Sequence, residues 1–93
     1  MESVKLELEL KIVNSHGLHA RPAAQFVRIA GRYEDCQLTV SREEMAVNGK
    51  SIMGMMMLQA GPGTMIRISA EGEGAEDLCA ELKELVEGGF GEQ

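Results

Sequence analysis

The chain has 93 residues, of which 44% are apolar, and only three are aromatic, with no Trp. That length suits one hydrophobic core, so residues 1–93 are read as a single domain built on Leu, Ile, Val, Met and Ala. A net charge of −6 with no basic cluster speaks against nucleic-acid binding, and no apolar run approaches the roughly 20 residues of a membrane-spanning helix. The N-terminus alternates charge and aliphatic residues, unlike a signal or transit peptide. A cytoplasmic protein that does not insert into membranes is expected.

Val4, Leu6, Leu8, Leu10 and Ile12 alternate with Lys5, Glu7, Glu9 and Lys11, the period of a half-buried strand. The polar stretch Asn14-Ser15-His16-Gly17 ends it. From Arg21 the period changes: Ala23, Phe26, Val27 and Ala30 form the stripe of a helix with Pro22 in its first turn and Gly31 weakening its end. Cys36, Leu38 and Val40 mark a second strand. Met45 to Val47 predict a short third strand, joined to the second through Arg42-Glu43-Glu44. Ser51 is an N-cap for a helix through about Gln59, stopped by Gly61-Pro62-Gly63. Ile66, Ile68 and Ala70 make a fourth strand. Ala75, Leu78, Cys79, Leu82, Leu85 and Val86 form the clearest amphipathic helix, with Glu76 and Asp77 in the first turn, where the dipole favours them.

The order β-α-β-β-α-β-α, with strands polar on one side, predicts an α+β fold: a four-stranded antiparallel sheet with three helices on one face. Cys36 and Cys79 match no metal or redox spacing and are expected to be reduced core thiols. The acidity is segregated. From residue 71 onward there are eight acids and one base, whereas residues 1–70 carry eight bases and seven acids. An anion-handling site in the first 70 residues is therefore not repelled by the local charge.

Gly17-Leu18-His19-Ala20-Arg21-Pro22 spans the junction from strand to helix. The first backbone N–H groups of a helix, here those of Ala20 and Arg21, lack intrahelical partners and favour an anion. Pro22 has no N–H to leave unpaired. The helix terminus and Arg21 both disfavour a protonated ring, so His19 is expected to stay neutral and nucleophilic. A group that becomes dianionic after reaction suits this arrangement, and phosphoryl transfer fits; a plain helix start fits about equally well on these grounds alone. His16 and His19 lack a third metal ligand, so no metal is expected. No acid sits in an evident position to orient either histidine, which disfavours a Ser/His/acid hydrolase.

Four of the seven methionines fall in the helix after Ser51, which is apolar nearly all round. Met55 and Leu58 are the core candidates. Ile52, Met53 and Met56 share the opposite side and predict an exposed apolar patch, where flexible Met can accommodate several partners.

The segments Gly17-Leu18-His19-Ala20-Arg21-Pro22-Ala23-Ala24 and Lys50-Ser51-Ile52-Met53-Gly54, about 30 residues apart, resemble the HPr family, the histidine-containing phosphocarriers of the bacterial phosphotransferase system. The resemblance runs from about residue 4 to 87 and implies that family's open-faced β-sandwich. It implies that His19 takes a phosphoryl group on Nδ1 from enzyme I, itself phosphorylated by phosphoenolpyruvate, and passes it to IIA proteins or domains. Arg21 would contact the phosphate, and Ser51 would be phosphorylated by HPr kinase/phosphorylase using ATP. The protein would be a monomeric, stoichiometric carrier without a cofactor. Ala24 and Arg28 would complete the docking surface with Ile52, Met53 and Met56. The alternative is a regulatory docking module, Crh-like or of the nitrogen-related branch; the Crh proteins lack the histidine. The sequence departs from the family at His16, where a small polar residue or Lys is common, and at Gly31, where a second base is often seen. The tail after Gly88 lies beyond the shared fold.

Overall fold

The computed structural model describes residues 5–92. Strand β1 (Lys5–Lys11) is followed by α1 (Ala20–Ala30), β2 (Cys36–Arg42), β3 (Met45–Asn48), α2 (Ile52–Met57), β4 (Met65–Gly72) and α3 (Ala75–Glu87). A tight turn at Gly89–Gly91 follows. All seven expected elements are present, and β1 keeps its alternation over the described residues; Val4 lies outside them. The second helix is shorter than expected, ending at Met57 with Leu58 as its C-cap.

The four strands form one antiparallel sheet in the order β1-β4-β2-β3. In this order β4, the last strand in sequence, lies between β1 and β2. Leu8 pairs with Ile68 and Leu10 with Ile66 on one side of β4, while Val40 pairs with Ile68 and Leu38 with Ala70 on the other. These side chains share the face that the helices cover, as the period of two requires. Lys5, Glu7, Glu9, Lys11, Gln37, Thr39 and Arg67 stand exposed on the opposite face, with Ser69 half-buried among them.

The core between sheet and helices is largely aliphatic. Phe26, Ile12, Met55, Ile68, Leu78, Leu82 and Val86 are all fully buried, each contributing about 1.5–3 kcal/mol of apolar transfer free energy. Cys36 and Cys79 are free thiols buried in this core, and burial pushes both above the usual thiol range. They pack as small apolar side chains, as expected.

The C-terminal tail lies beyond the stretch that resembles the family, yet it is part of this fold. Residues beyond Gly88 are packed into the fold: Phe90 is 3% exposed and belongs to the core. Gly89, Phe90 and Gly91 all have positive φ (69°, 57° and 75°), which turns the chain sharply back on itself. Two glycines out of three make this run of left-handed backbone affordable. The turn closes through Glu92 N–H donating to the Gly89 carbonyl at 2.9 Å.

Candidate functional site

His19 is the N-cap of α1, with extended backbone (φ −86°, ψ −168°), and its own side chain makes no capping bond. Its carbonyl accepts the first helical hydrogen bond, from Ala23 N–H at 2.9 Å. The N–H groups of Ala20 and Arg21 therefore come before the helical ladder begins, and Pro22 has none. The imidazole is 42% exposed. Arg21 is exposed and enters no ion pair among the described residues, so its guanidinium is available to an incoming anion.

The loop that presents His19 is held from both sides. Gly17 has φ +67°, and a Cβ there would stand 2.6 Å from the Ala60 carbonyl oxygen and 2.9 Å from Gly61 Cα. The next residue, Leu18, is buried and donates its N–H to that same Ala60 carbonyl at 2.9 Å. Thus the strand-to-helix loop lies against the loop after α2, with no room between the two backbones. A shallow open depression lies over this contact, lined by His16, Leu18, His19, Gln59, Ala60 and Gly61. Gln59 there has a positive φ of 50° without being glycine; nothing in the sequence singled it out.

Asn14, assigned from sequence only to a strand-ending turn, is the one buried polar side chain described, at 2% exposure. Its Nδ2 donates to the Gly17 carbonyl at 2.7 Å and to a Glu92 carboxylate oxygen at 3.0 Å. The other Glu92 oxygen lies 3.0 Å from His19 Nε2. An acid does orient His19, contrary to the sequence expectation. It comes from the C-terminal tail, 73 residues away and beyond the fold shared with the family, where no local motif marks it. The carboxylate is 16% exposed. Burial raises the Glu92 carboxyl, but hydrogen bonds from Asn14 and His19, and the charges of His19 and His16, outweigh it and hold it below the usual carboxylate range. An ionised carboxylate can only accept, so Nε2 carries the proton and the lone pair of a neutral ring resides on Nδ1. Among the described residues Nδ1 of His19 takes no hydrogen bond.

The rings of His16 and His19 meet edge to face, with centroids 5.8 Å apart and an interplanar angle of 75°. Among the described residues no group of three or more His, Cys, Asp or Glu is placed to hold a metal ion. No helix among them is long and apolar enough to cross a membrane.

The second motif flanks the first. Ser51 is the N-cap of α2, its Oγ accepting from Gly54 N–H at 3.0 Å. The two sides of α2 separate as their spacing predicts: Met55 and Leu58 are buried at 0% and 2%, whereas Ile52, Met53 and Met56 are exposed at 43%, 75% and 42%. Met57 is a further exposed methionine, at 59%. Helix α2 packs on α1, where Arg28 is exposed and Ala24 half-buried.

A sequence model described as "PTS HPr component phosphorylation site" matches residues 6–88. The chain is similar to the phosphocarrier protein HPr of Pseudomonas aeruginosa, at 50% identity over 86 residues, 91% of this chain and 94% of that one. Among solved structures it is similar to HPr-C-His from Thermoanaerobacter tengcongensis, with 42% identity, a TM-score of 0.89, and 95% and 98% of the two chains covered. It is also similar to the phosphocarrier HPr of Bacillus anthracis, with 37% identity, a TM-score of 0.83, and 89% and 98% covered.

Proposed function

The chain belongs to the HPr family of phosphotransferase-system phosphocarriers, and from that premise we propose that the group it relays is carried on Nδ1 of His19. It is a stoichiometric carrier, phosphorylated and dephosphorylated by others, and not a Crh-like docking module. The observation that carries the assignment is the position of the imidazole: at the N-cap of α1, with Nε2 taken by Glu92 and Nδ1 without a hydrogen bond among the described residues. A phosphoryl group on Nδ1 would meet the unpaired N–H groups of Ala20 and Arg21 and the positive end of the helix dipole. The Arg21 guanidinium, exposed and unpaired among the described residues, would add a mobile positive charge.

The donor on this reading is phosphorylated enzyme I, and the acceptors are IIA proteins or domains, met in the cytoplasm. Both would dock on the patch of Ile52, Met53 and Met56 with Ala24 and Arg28 beside it. Ser51 would be the regulatory site for HPr kinase/phosphorylase, a phosphate there being held by the start of α2 without unfolding it.

Incubation with phosphoenolpyruvate and enzyme I should add one acid-labile phosphate per chain, and His19→Ala should add none. Arg21→Ala should slow the transfer and leave the melting temperature unchanged. Phosphate on the His19→Ala variant would overturn the assignment.

A further inference from the structure

The tail that carries Glu92 lies outside the stretch matched by the family, residues 6–88, yet its carboxylate sits on the reactive ring. We propose that Glu92 is a positioning residue for phosphoryl transfer: held by the buried Asn14 amide, it fixes the His19 ring with Nε2 protonated and Nδ1 free to attack. The inference rests on His19 being the acceptor.

Three features make the contact a built one. Phe90 is buried in the core and anchors the tail at the end of α3. The three left-handed residues then reverse the chain toward the end of β1, where Gly89 lies against Val13 and Asn14. Asn14 Nδ2 finally bridges two places at once, the Gly17 carbonyl of the histidine loop and the Glu92 carboxylate. The amide thereby sets the distance between loop and tail. A surface glutamate that reached the ring by chance would need neither the buried anchor nor the buried amide.

The chemistry gives this geometry a task. When Nδ1 attacks, its lone pair forms the N–P bond, and the bond from phosphorus to the donor breaks with its electron pair left on the donor. No proton leaves the ring, because Nε2–H is already in place. The ring therefore gains a positive charge shared between the two nitrogens, beside a carboxylate 3.0 Å away. That carboxylate lies at the nitrogen opposite the reacting one, so it faces the developing charge and not the incoming phosphoryl oxygens. In the onward step Nδ1–P breaks, the pair returns to Nδ1, and the same contact holds the ring for the next cycle. Glu92 never touches phosphorus; it acts through the ring.

The test compares the parent chain with Glu92→Gln, which keeps size and shape and loses the charge. The initial rate of phosphorylation by phosphorylated enzyme I is measured beside the ¹⁵N spectrum of the His19 imidazole, which reports which nitrogen carries the proton. Because the ring is 42% exposed and its charge is partly screened, the expected slowing is about three- to tenfold, with the fold retained and at most a small fall in melting temperature, and with proton population moving from Nε2 to Nδ1. Phe90→Ala, which loosens the anchor without altering the carboxylate, should slow the transfer in the same sense and move the ¹⁵N spectrum in the same way. A Glu92→Gln rate equal to or above that of the parent overturns the proposal, the higher rate marking the tail as a shield over the ring. A slower rate with an unchanged imidazole spectrum also overturns it, assigning Glu92 to partner docking. Phosphate accepted by His19→Ala would instead remove the acceptor assignment, a failure distinct from that of the tail.

Discussion

Replacing Gly17 with Ala tests whether the histidine loop is held by backbone-to-backbone contact. Alanine at φ +67° adopts a left-handed conformation, at a cost of about 1–2 kcal/mol. Its Cβ would also stand 2.6 Å from the Ala60 carbonyl oxygen and 2.9 Å from Gly61 Cα, both main-chain atoms that no rotamer change can move aside. Separating the two loops stretches the hydrogen bond from Leu18 N–H to that carbonyl, worth about 0.5–1.5 kcal/mol. The sum is a loss of about 1.5–3.5 kcal/mol, which for a domain of this size lowers Tm by about 6–28 °C. Thermal melts followed by circular dichroism read the stability, and the initial rate of phosphorylation reads the displacement of His19. Gly61→Ala is the control: nothing lies within 4 Å of a Cβ there, and its φ is not in the left-handed region. Its melting temperature should stay level or rise slightly. A Gly17→Ala melt within about 3 °C of the parent, less than the shift for 1 kcal/mol, would refute the packing account of the loop.

The two sides of α2 should answer differently to substitution. Met53→Glu places a charge on a side chain 75% exposed, so stability should stay within about 0.5 kcal/mol while affinity for enzyme I falls in a titration. Met55→Ala empties a fully buried site and should cost about 2–5 kcal/mol; equal melts for the two variants would contradict the sidedness. At Ser51 cap and regulation can be separated. Asp caps a helix as well as Ser, so Ser51→Asp should melt like the parent, while Ser51→Ala loses the bond from Gly54 N–H and about 1 kcal/mol. If Ser51→Asp also accepts phosphate on His19 at the parent rate, the residue is a cap and nothing more.

Most of the fold was legible because its signals are local and periodic. The alternation from Lys5 to Ile12 and the stripe of Ala23, Phe26 and Ala30 each decide their element without reference to the rest of the chain. The separation of Met55 from Met53 followed from the same geometry, since a six-residue helix on a small core can bury only one side. The place of His19 at the start of α1 was legible for a similar reason: the glycine, histidine, arginine and proline that define its surroundings lie close together in sequence.

What escaped notice depends on chain reversal. Nothing around Gly88-Gly89-Phe90-Gly91 has a period, and a glycine-rich stretch after a helix reads equally well as a stop signal or as the start of a free tail. One aromatic residue decides between these readings. In a chain with two phenylalanines, leaving Phe90 in water would forgo about 1.5–3 kcal/mol of burial, and three left-handed residues are the conformation that returns it to the core. Once Phe90 is buried, Glu92 has little freedom left, and the same reversal delivers its carboxylate to Asn14 and His19. Asn14 was hidden for the complementary reason. An asparagine after a strand is ordinarily a turn residue facing solvent, and only the arrival of the tail makes its amide a buried bridge. The acid that meets the His19 ring is thus fixed by the burial of a phenylalanine two residues earlier, a coupling through the hydrophobic core that no local motif records.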